Sequence, residues 1–167
     1  MPPLEDRREG GVEAVEPVRD NLVLSLDGWP EAGVSLDFAL SPAILQKAMG
    51  CGSGGSSEKA SEVAGSFVFK TAMRGHLDVQ VFNKRVRVKG AFAVKVELIC
   101  DRCLEPFVEK VSDSVDESLK LVEGAAPQAG DPQWDGELEV KGGCFDLAPL
   151  MGELFWLALP YKALCRP

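Results

Sequence analysis

Apolar and polar residues alternate through the middle of the chain, between residues 77 and 98. A period of two places successive side chains on opposite faces of a β-strand. Three runs show it: 77–82, 85–89 and 92–98. Asn83-Lys84 suits a tight turn between the first two, and at Gly90 we expect the chain to bend. The pattern predicts a three-stranded antiparallel meander that leads directly into Cys100.

Shorter signals precede the meander. Alternation over residues 22–26 and 34–38 predicts two strands. Ser41-Pro42 is a helix start, with a capping hydroxyl followed by proline at the first helical position. We expect that helix to run through Ala48 and to end at Gly50.

Weaker signals follow the meander. Alternation from Phe107 to Leu121 predicts one strand or a pair of strands, and residues 138–140 predict a brief one. Asp146 is the expected cap of a last helix, which Pro160 ends. These elements together predict an α+β fold: a single domain dominated by an antiparallel β-meander, with a short N-terminal helix and a C-terminal helix packed on it.

The chain divides into a tail and one domain. Residues 1–20 are charged and lack periodicity, which predicts a flexible acidic tail. The domain is expected over residues 21–165, with a flexible Gly/Ser linker at 51–61 and a Gly/Pro/Asp-rich loop at 124–136. The longest apolar run, residues 154–159, is far too short to span a bilayer, so we expect no membrane contact.

Charge is distributed unevenly over the 167 residues. The net charge is −8, yet residues 70–96 carry seven basic side chains and one acidic one. The basic residues of the second run, Arg85, Arg87 and Lys89, share one strand face, next to Lys84 in the turn. Cations at this spacing can neutralise neighbouring phosphates, which predicts an RNA-binding face. The alternative is an ordinary solvated face, and the overall negative charge argues against strong unassisted binding.

Cysteines supply the main candidate chemistry. Cys100 and Cys103 form a C-x-x-C turn, the half-site of a structural zinc knuckle, and Cys165 is a candidate third ligand. Zinc is therefore the one candidate cofactor, on an incomplete ligand set. Two alternatives stay open: a turn with two free thiols near the core edge, and a redox pair. Cys144 and Cys51 are interpreted as incidental.

No catalytic signature accompanies these residues. His76 is the sole histidine, without a triad or a paired-carboxylate pattern near it, and no phosphate-binding or dinucleotide motif occurs. We therefore expect a protein that is not an enzyme. The last helix is apolar almost all round, so it is either buried or partnered. A partner-binding surface is assigned to Leu154, Phe155 and Trp156, with burial against the sheet as the alternative.

Three ordered motifs carry a family resemblance. They are V-x-G before the third run, C-x-R-C-L-x-P-F within Val96–Phe107, and D-L-x-x-x-x-x-E-L-x-x-L-A-L-P over Asp146–Pro160. This set resembles the YceD family over roughly residues 20–165. Many members carry a further cysteine pair past the position of Cys165, whereas this sequence ends at Pro167. If the chain is complete, the resemblance implies an incomplete metal site here; if it is a fragment, the missing tail would supply the last ligand.

The resemblance also implies a function. It suggests a non-enzymatic factor that promotes accumulation or processing of 23S large-subunit ribosomal RNA in ribosome biogenesis. The implied partners are ribosomal RNA or a pre-ribosomal particle, together with proteins. The implied compartment is the chloroplast stroma, since residues 158–167 look plastid-like, with the bacterial cytoplasm as the alternative. Two other functions remain open: a thiol-redox or zinc-dependent protein that acts through the C-x-x-C turn, and a protein-interaction module without RNA contact.

Overall fold

The computed structural model describes residues 18–49, 67–124 and 136–166 of the chain. Within these ranges eight strands and two helices follow one another. In chain order they are β1 (Val23–Ser25), β2 (Val34–Leu40), α1 (Pro42–Ala48), β3 (Phe67–Phe69), β4 (Met73–Phe82), β5 (Arg85–Ile99), β6 (Pro106–Glu123), β7 (Glu137–Val140), β8 (Cys144–Asp146) and α2 (Ala148–Ala158). This composition confirms the α+β fold class.

One six-stranded sheet forms the body of the protein. Its main path runs β2-β4-β5-β6-β7, and β3 pairs with the end of β5 that β4 does not reach. The short strands β1 and β8 form a separate antiparallel pair. The large sheet is therefore built around the two longest strands, β5 and β6.

The predicted hairpin and its turn are confirmed. β4 and β5 pair antiparallel from Phe82 opposite Arg85 onward, with Asn83 and Lys84 between them. Both turn residues have positive φ angles, 47° and 59°, as a two-residue hairpin turn of the primed type requires. The alternation then buries Val79 and leaves the residues between the apolar positions exposed.

Gly90 does not break the strand, contrary to the expectation of a bend there. β5 passes through it as one strand of 15 residues, with Leu77 opposite it on β4 and Val115 opposite it on β6. A Cβ atom at Gly90 would lie 1.9 Å from the carbonyl oxygen of His76. The glycine is therefore needed because β4 and β5 approach closely here.

The C-terminal half resolves one open alternative of the sequence pattern and differs from it in one respect. Residues 106–123 form one strand of 18 residues, which resolves the choice between one strand and a pair. β7 then pairs with β6 in parallel, so the sheet is mixed and not wholly antiparallel. A parallel neighbour needs a crossover, and the connection from β6 to β7 contains the predicted 124–136 loop.

Both predicted helices exist. α1 has the expected bounds and the expected cap, since the Ser41 hydroxyl accepts from the Ile44 amide at 3.4 Å. α2 begins later than expected, because Asp146 is the last residue of β8 and pairs with Val23. The Asp146 carboxylate still accepts a hydrogen bond from the Ala148 amide at 2.9 Å, so it satisfies one free backbone donor at the helix start.

The two helices cover one face of the sheet and leave the other exposed. The core between the helices and the sheet is apolar, and no polar or charged residue among the described residues is buried. Its largest fully buried side chains include Phe38, Leu40, Leu45, Met73, Leu77, Phe145, Leu147, Met151 and Phe155. We call the opposite, uncovered side the outer face; it carries the even-numbered residues of β4 and β6 and the odd-numbered residues of β5.

Several predictions fall at the edges of the described ranges. The 51–61 linker, Cys51 and most of the 1–20 tail and the 124–136 loop lie outside the described residues. Arg19, within the predicted tail, already pairs with β2: its amide donates to the Asp37 carbonyl at 2.9 Å. No helix in the described ranges is long and apolar enough to cross a membrane.

Candidate nucleic-acid interface and thiol cluster

The C-x-x-C turn joins the two longest strands. β5 ends at Ile99, and the chain reverses so that the Cys100 amide donates to the Glu105 carbonyl at 3.0 Å. The Leu104 amide in turn donates to the Cys100 carbonyl at 2.9 Å. Leu104 itself takes a left-handed φ of 60°, which closes the turn before β6 begins.

The segment after α2 returns to this turn. The Asp101 amide donates to the Ala163 carbonyl at 2.8 Å, and the Ala163 amide donates to the Asp101 carboxylate, also at 2.8 Å. This reciprocal pair fixes the returning chain against the turn. The Cys165 amide, two residues on, donates to the Cys100 sulfur at 3.5 Å.

The fold thus brings the three predicted thiols together. The Sγ atoms of Cys100, Cys103 and Cys165 all lie within 4.8 Å of one another, and those of Cys103 and Cys165 are 3.7 Å apart. That separation is far above the roughly 2.05 Å of a disulfide bond, so the thiols are free. Cys144 lies in β8 and is not part of this group, which we call the thiol cluster.

Backbone amides make Cys100 unusual. It is fully buried, and hydrogen bonds from the amides of Cys103, Cys165 and Arg102 lower the pKa of its thiol to about 6. These hydrogen bonds therefore favour the thiolate of Cys100. The pKa of Cys165 moves the other way, because hydrogen bonds with Cys103 and Cys100 favour its protonated form. Soft thiolate ligands suit zinc, and the described residues supply three of the four ligands that a structural site takes.

The predicted basic row lies on the outer face. Arg85, Arg87 and Lys89 are exposed there, with Lys84 beside them in the hairpin turn. Asp116 on β6 partly compensates the row, since its carboxylate lies 3.4 Å from Arg87 Nη2 and 3.9 Å from Lys89 Nζ. Arg85 and Lys84 form no ion pair within the described part of the chain.

Comparison with known families decides the relationship. Residues 88–167 match the model of the family described as large ribosomal RNA subunit accumulation protein YceD. The match begins inside β5 and includes the thiol turn, β6 and α2. Residues 88–167, a little under half of the chain, are therefore similar to the YceD family. No curated protein and no solved structure matches it. The family description connects its members with the RNA of the large ribosomal subunit.

A second set of cations lies on the outer face, and the sequence pattern did not assign it to the RNA-binding face. Lys95 on β5 lies directly opposite Lys110 on β6, and Arg74 lies one row away, opposite Ala93. None of the three cations forms an ion pair within the described ranges. Lys110 was overlooked because its neighbours depend on the register between two long strands.

His76 is held by two carboxylates on the same face. Its Nδ1 lies 2.7 Å from Asp37 and its Nε2 lies 3.4 Å from Asp78. The hydrogen bond with Asp37 is the largest of the effects that raise the pKa of His76. The pKa of Asp78 is lowered, mainly by a hydrogen bond from the Ser35 hydroxyl. Because Ser35 donates to Asp78 and not to His76, these residues do not form an activated nucleophile.

The predicted partner surface on α2 is mostly buried. Leu154 is 9% exposed and Phe155 is fully buried, with its ring 5.0 Å from that of Phe69. In this fold neither side chain is available to a partner. Trp156 is half-buried, with its ring 5.2 Å from Phe67, so the partner-binding hypothesis stays a prediction for Trp156 alone.

A cavity of about 700 Å³ lies on the helix side of the protein. Its wall includes Leu138, Leu150, Glu153 and Trp156. Burial raises the pKa of Glu153, and the charge of Glu117 on β6 adds to that effect. None of the thiol-cluster or basic-row residues lines this cavity, and the sequence pattern did not indicate it.

Proposed function

We propose that this protein promotes accumulation of 23S large-subunit ribosomal RNA by holding RNA or a pre-ribosomal particle on its outer face, without performing catalysis. The observation that carries this proposal is the family match over residues 88–167, which connects the chain with large-subunit ribosomal RNA. The cations of the outer face support it, because that face is free of helices and carries arginine and lysine from three neighbouring strands.

The charge distribution supports a local contact and not a strong global attraction. Each phosphate that a lysine or arginine neutralises releases condensed counterions and strengthens binding at low salt. A net charge of −8 opposes the approach of RNA at long range. We infer that protein partners in the pre-ribosomal particle assist the contact. The proposed compartment is the chloroplast stroma, with the bacterial cytoplasm as the alternative; the resemblance alone supports it.

Depletion with complementation tests this function. The native gene is depleted, and either the wild-type chain or a variant with Arg85, Arg87 and Lys89 replaced by Ser is supplied. We expect the ratio of mature large-subunit to small-subunit ribosomal RNA to fall on depletion, to recover with wild type, and to stay low with the variant. An unchanged ratio on depletion would contradict the proposal.

A matched control separates the basic row from charge in general. Lys47, Lys141 and Lys162 are exposed and do not belong to the basic row. Their replacement by Ser removes the same number of positive charges and is expected to restore the ratio like wild type. Equal defects in the two triple variants would show that net charge, and not the basic row, is what matters.

A second candidate function is structural zinc binding, for which the thiol cluster is the supporting observation. Cys100, Cys103 and Cys165 would hold the ion, and bound zinc would fasten the segment after α2 to the turn between β5 and β6. The stabilised thiolate of Cys100 suits a metal ligand, since thiols bind zinc in the deprotonated form. A redox enzyme at the same thiols is the alternative.

Competition for zinc with a chromophoric chelator tests this candidate on the reduced chain. We expect one equivalent of zinc to be retained by wild type and by Cys144→Ser, and to be lost from Cys103→Ser and Cys165→Ser. Failure of wild type to compete would exclude zinc binding. Turnover of a disulfide substrate that disappears in Cys103→Ser but persists in Cys144→Ser would favour the redox alternative.

A further inference from the structure

The tip of the β4–β5 hairpin presents a large aromatic side chain to solvent. Phe82 is 75% exposed. It is the last residue of β4, a strand whose odd-numbered positions supply the core, so this even-numbered residue lies on the outer face. Burying a phenylalanine side chain is worth about 1.5–3 kcal/mol, and this ring contributes little of that to folding. Its position is therefore not explained by the core.

The hairpin turn fixes cations beside this ring. Phe82 lies directly opposite Arg85, and Arg85 lies directly opposite Lys120 on β6, so the three form one row across the outer face. Lys84 adds a further cation from within the turn. Lys120 approaches Glu137 at 3.7 Å, whereas Arg85 and Lys84 form no ion pair among the described residues.

Lys84 also occupies a costly backbone position. Its φ of 59° is left-handed, a region that disfavours residues with a Cβ atom, and glycine is the usual choice at the second position of such a turn. Strain of this kind persists where the surrounding structure imposes it and is concentrated at functional sites. A lysine here places a charge at the extreme end of the hairpin.

We propose that this tip binds unpaired nucleotides, with a base stacked on the Phe82 ring and the adjoining phosphates neutralised by Arg85 and Lys84. The inference rests on the proposed function and narrows it to a class of RNA. Aromatic rings bind bases by their faces, and this requires bases that are free of a duplex. The other large apolar residues exposed on the outer face within the described ranges are Val68, Ile99 and Val108, and none of them carries a ring.

Binding of the full chain to a short labelled single-stranded RNA, and to the duplex of the same sequence, tests the inference. We expect wild type to prefer the single strand. Phe82→Ala should weaken single-strand binding about tenfold, the loss expected when one base loses its stacking partner. Phe82→Trp should restore the affinity, and Phe82→Leu should not, because leucine keeps apolar area without a ring.

Salt dependence separates the ring from the cations. Phe82→Ala should leave the slope of log affinity against log salt unchanged, whereas Arg85→Ser should reduce it by about one. The midpoint of urea unfolding should hardly change in the Phe82 variants, since the side chain is exposed.

Three results would overturn the inference. They are undiminished single-strand binding in Phe82→Ala, an equal loss of duplex binding in that variant, and no binding of single-stranded RNA by wild type. The first two leave the proposed function in place, since RNA is still bound. The ribosomal RNA ratio after depletion tests that function separately, whatever the binding assay gives.

Discussion

Lys95 and Lys110 face each other across β5 and β6, and neither forms an ion pair in the described part of the chain. Like charges directly opposite each other destabilise a strand pair by a few tenths of a kcal/mol or more. We therefore expect Lys110→Glu to stabilise the fold by about 0.5 kcal/mol in urea unfolding, and to weaken RNA binding with a smaller salt slope.

The same charge reversal at Lys120, further along β6, supplies the comparison. Lys120 lies opposite Arg85 but approaches Glu137 at 3.7 Å. Lys120→Glu replaces that attraction with repulsion but also removes the like-charge pair with Arg85, so the two effects oppose each other and we expect a smaller gain than in Lys110→Glu, or none. Destabilisation by both reversals would show that Lys95 and Lys110 do not repel each other in the folded protein.

Lys84 gives a prediction in which stability and binding change in opposite directions. Its left-handed φ costs a residue with a Cβ atom roughly 1 kcal/mol. Glycine avoids this strain, but it offsets part of the gain because it loses more chain entropy on folding. Lys84→Gly should therefore stabilise the protein by about 0.5 kcal/mol in urea unfolding.

RNA binding should respond to the charge at residue 84 and not to the backbone. We expect Lys84→Gly and Lys84→Ala to weaken RNA binding equally, while only the glycine variant gains stability. A glycine variant no more stable than the alanine variant would mean that the turn relaxes around Lys84 without strain.

Strand faces were predictable because their signal is local. A period of two within one strand is enough to place Arg85 and Arg87 on one side and Val86 on the other. The same rule places the even-numbered Phe82 on the outer face, but the rule does not give the exposed fraction of its side chain, which the structure shows to be 75%. Residue type and parity therefore predicted the row but not how far its aromatic end is exposed.

The pairing register between strands could not be predicted from local rules. The position of Lys110 opposite Lys95 depends on the register that the 100–105 turn imposes, and a shift of one residue would place Lys110 on the other face. The parallel pairing of β7 depends on a crossover without periodicity. The thiol cluster was suggested by residue type, but its closure depends on the hydrogen bonds between Asp101 and Ala163.

His76 predicts how stability changes with pH. Its pKa is raised above the unfolded value of 6.5 by Asp37 on β2 and Asp78 on its own strand. A raised pKa means that the folded state holds the proton more tightly, so the stabilisation is complete below 6.5 and is lost as the pH rises through the raised value. His76→Gln should remove this decline.

Urea midpoints of wild type and His76→Gln, measured from below pH 6.5 upward, check this prediction. The difference between the two proteins should be largest at the acidic end and should shrink as His76 loses its proton. Because the ring is half exposed, solvent screening limits the size of the effect. Parallel curves over the whole range would mean that the two carboxylates do not bind the imidazolium in solution.

Glu153 also makes stability fall as the pH rises, but for a different reason. Its pKa is raised from 4.5 by burial, and then by the charge of Glu117, so its ionised form is unfavourable in the folded protein. Stability should fall as the pH rises from 4.5 through the raised value, and the full cost remains at neutral pH.

We expect Glu153→Gln to raise the urea midpoint at neutral pH and to have little effect in acid. Glu117→Gln should give a smaller gain, the double variant should match Glu153→Gln alone, and Glu123→Gln, at an exposed position of β6, should change nothing. Equal gains from Glu117→Gln and Glu123→Gln would instead indicate that net negative charge, and not the charge repulsion between Glu153 and Glu117, limits stability.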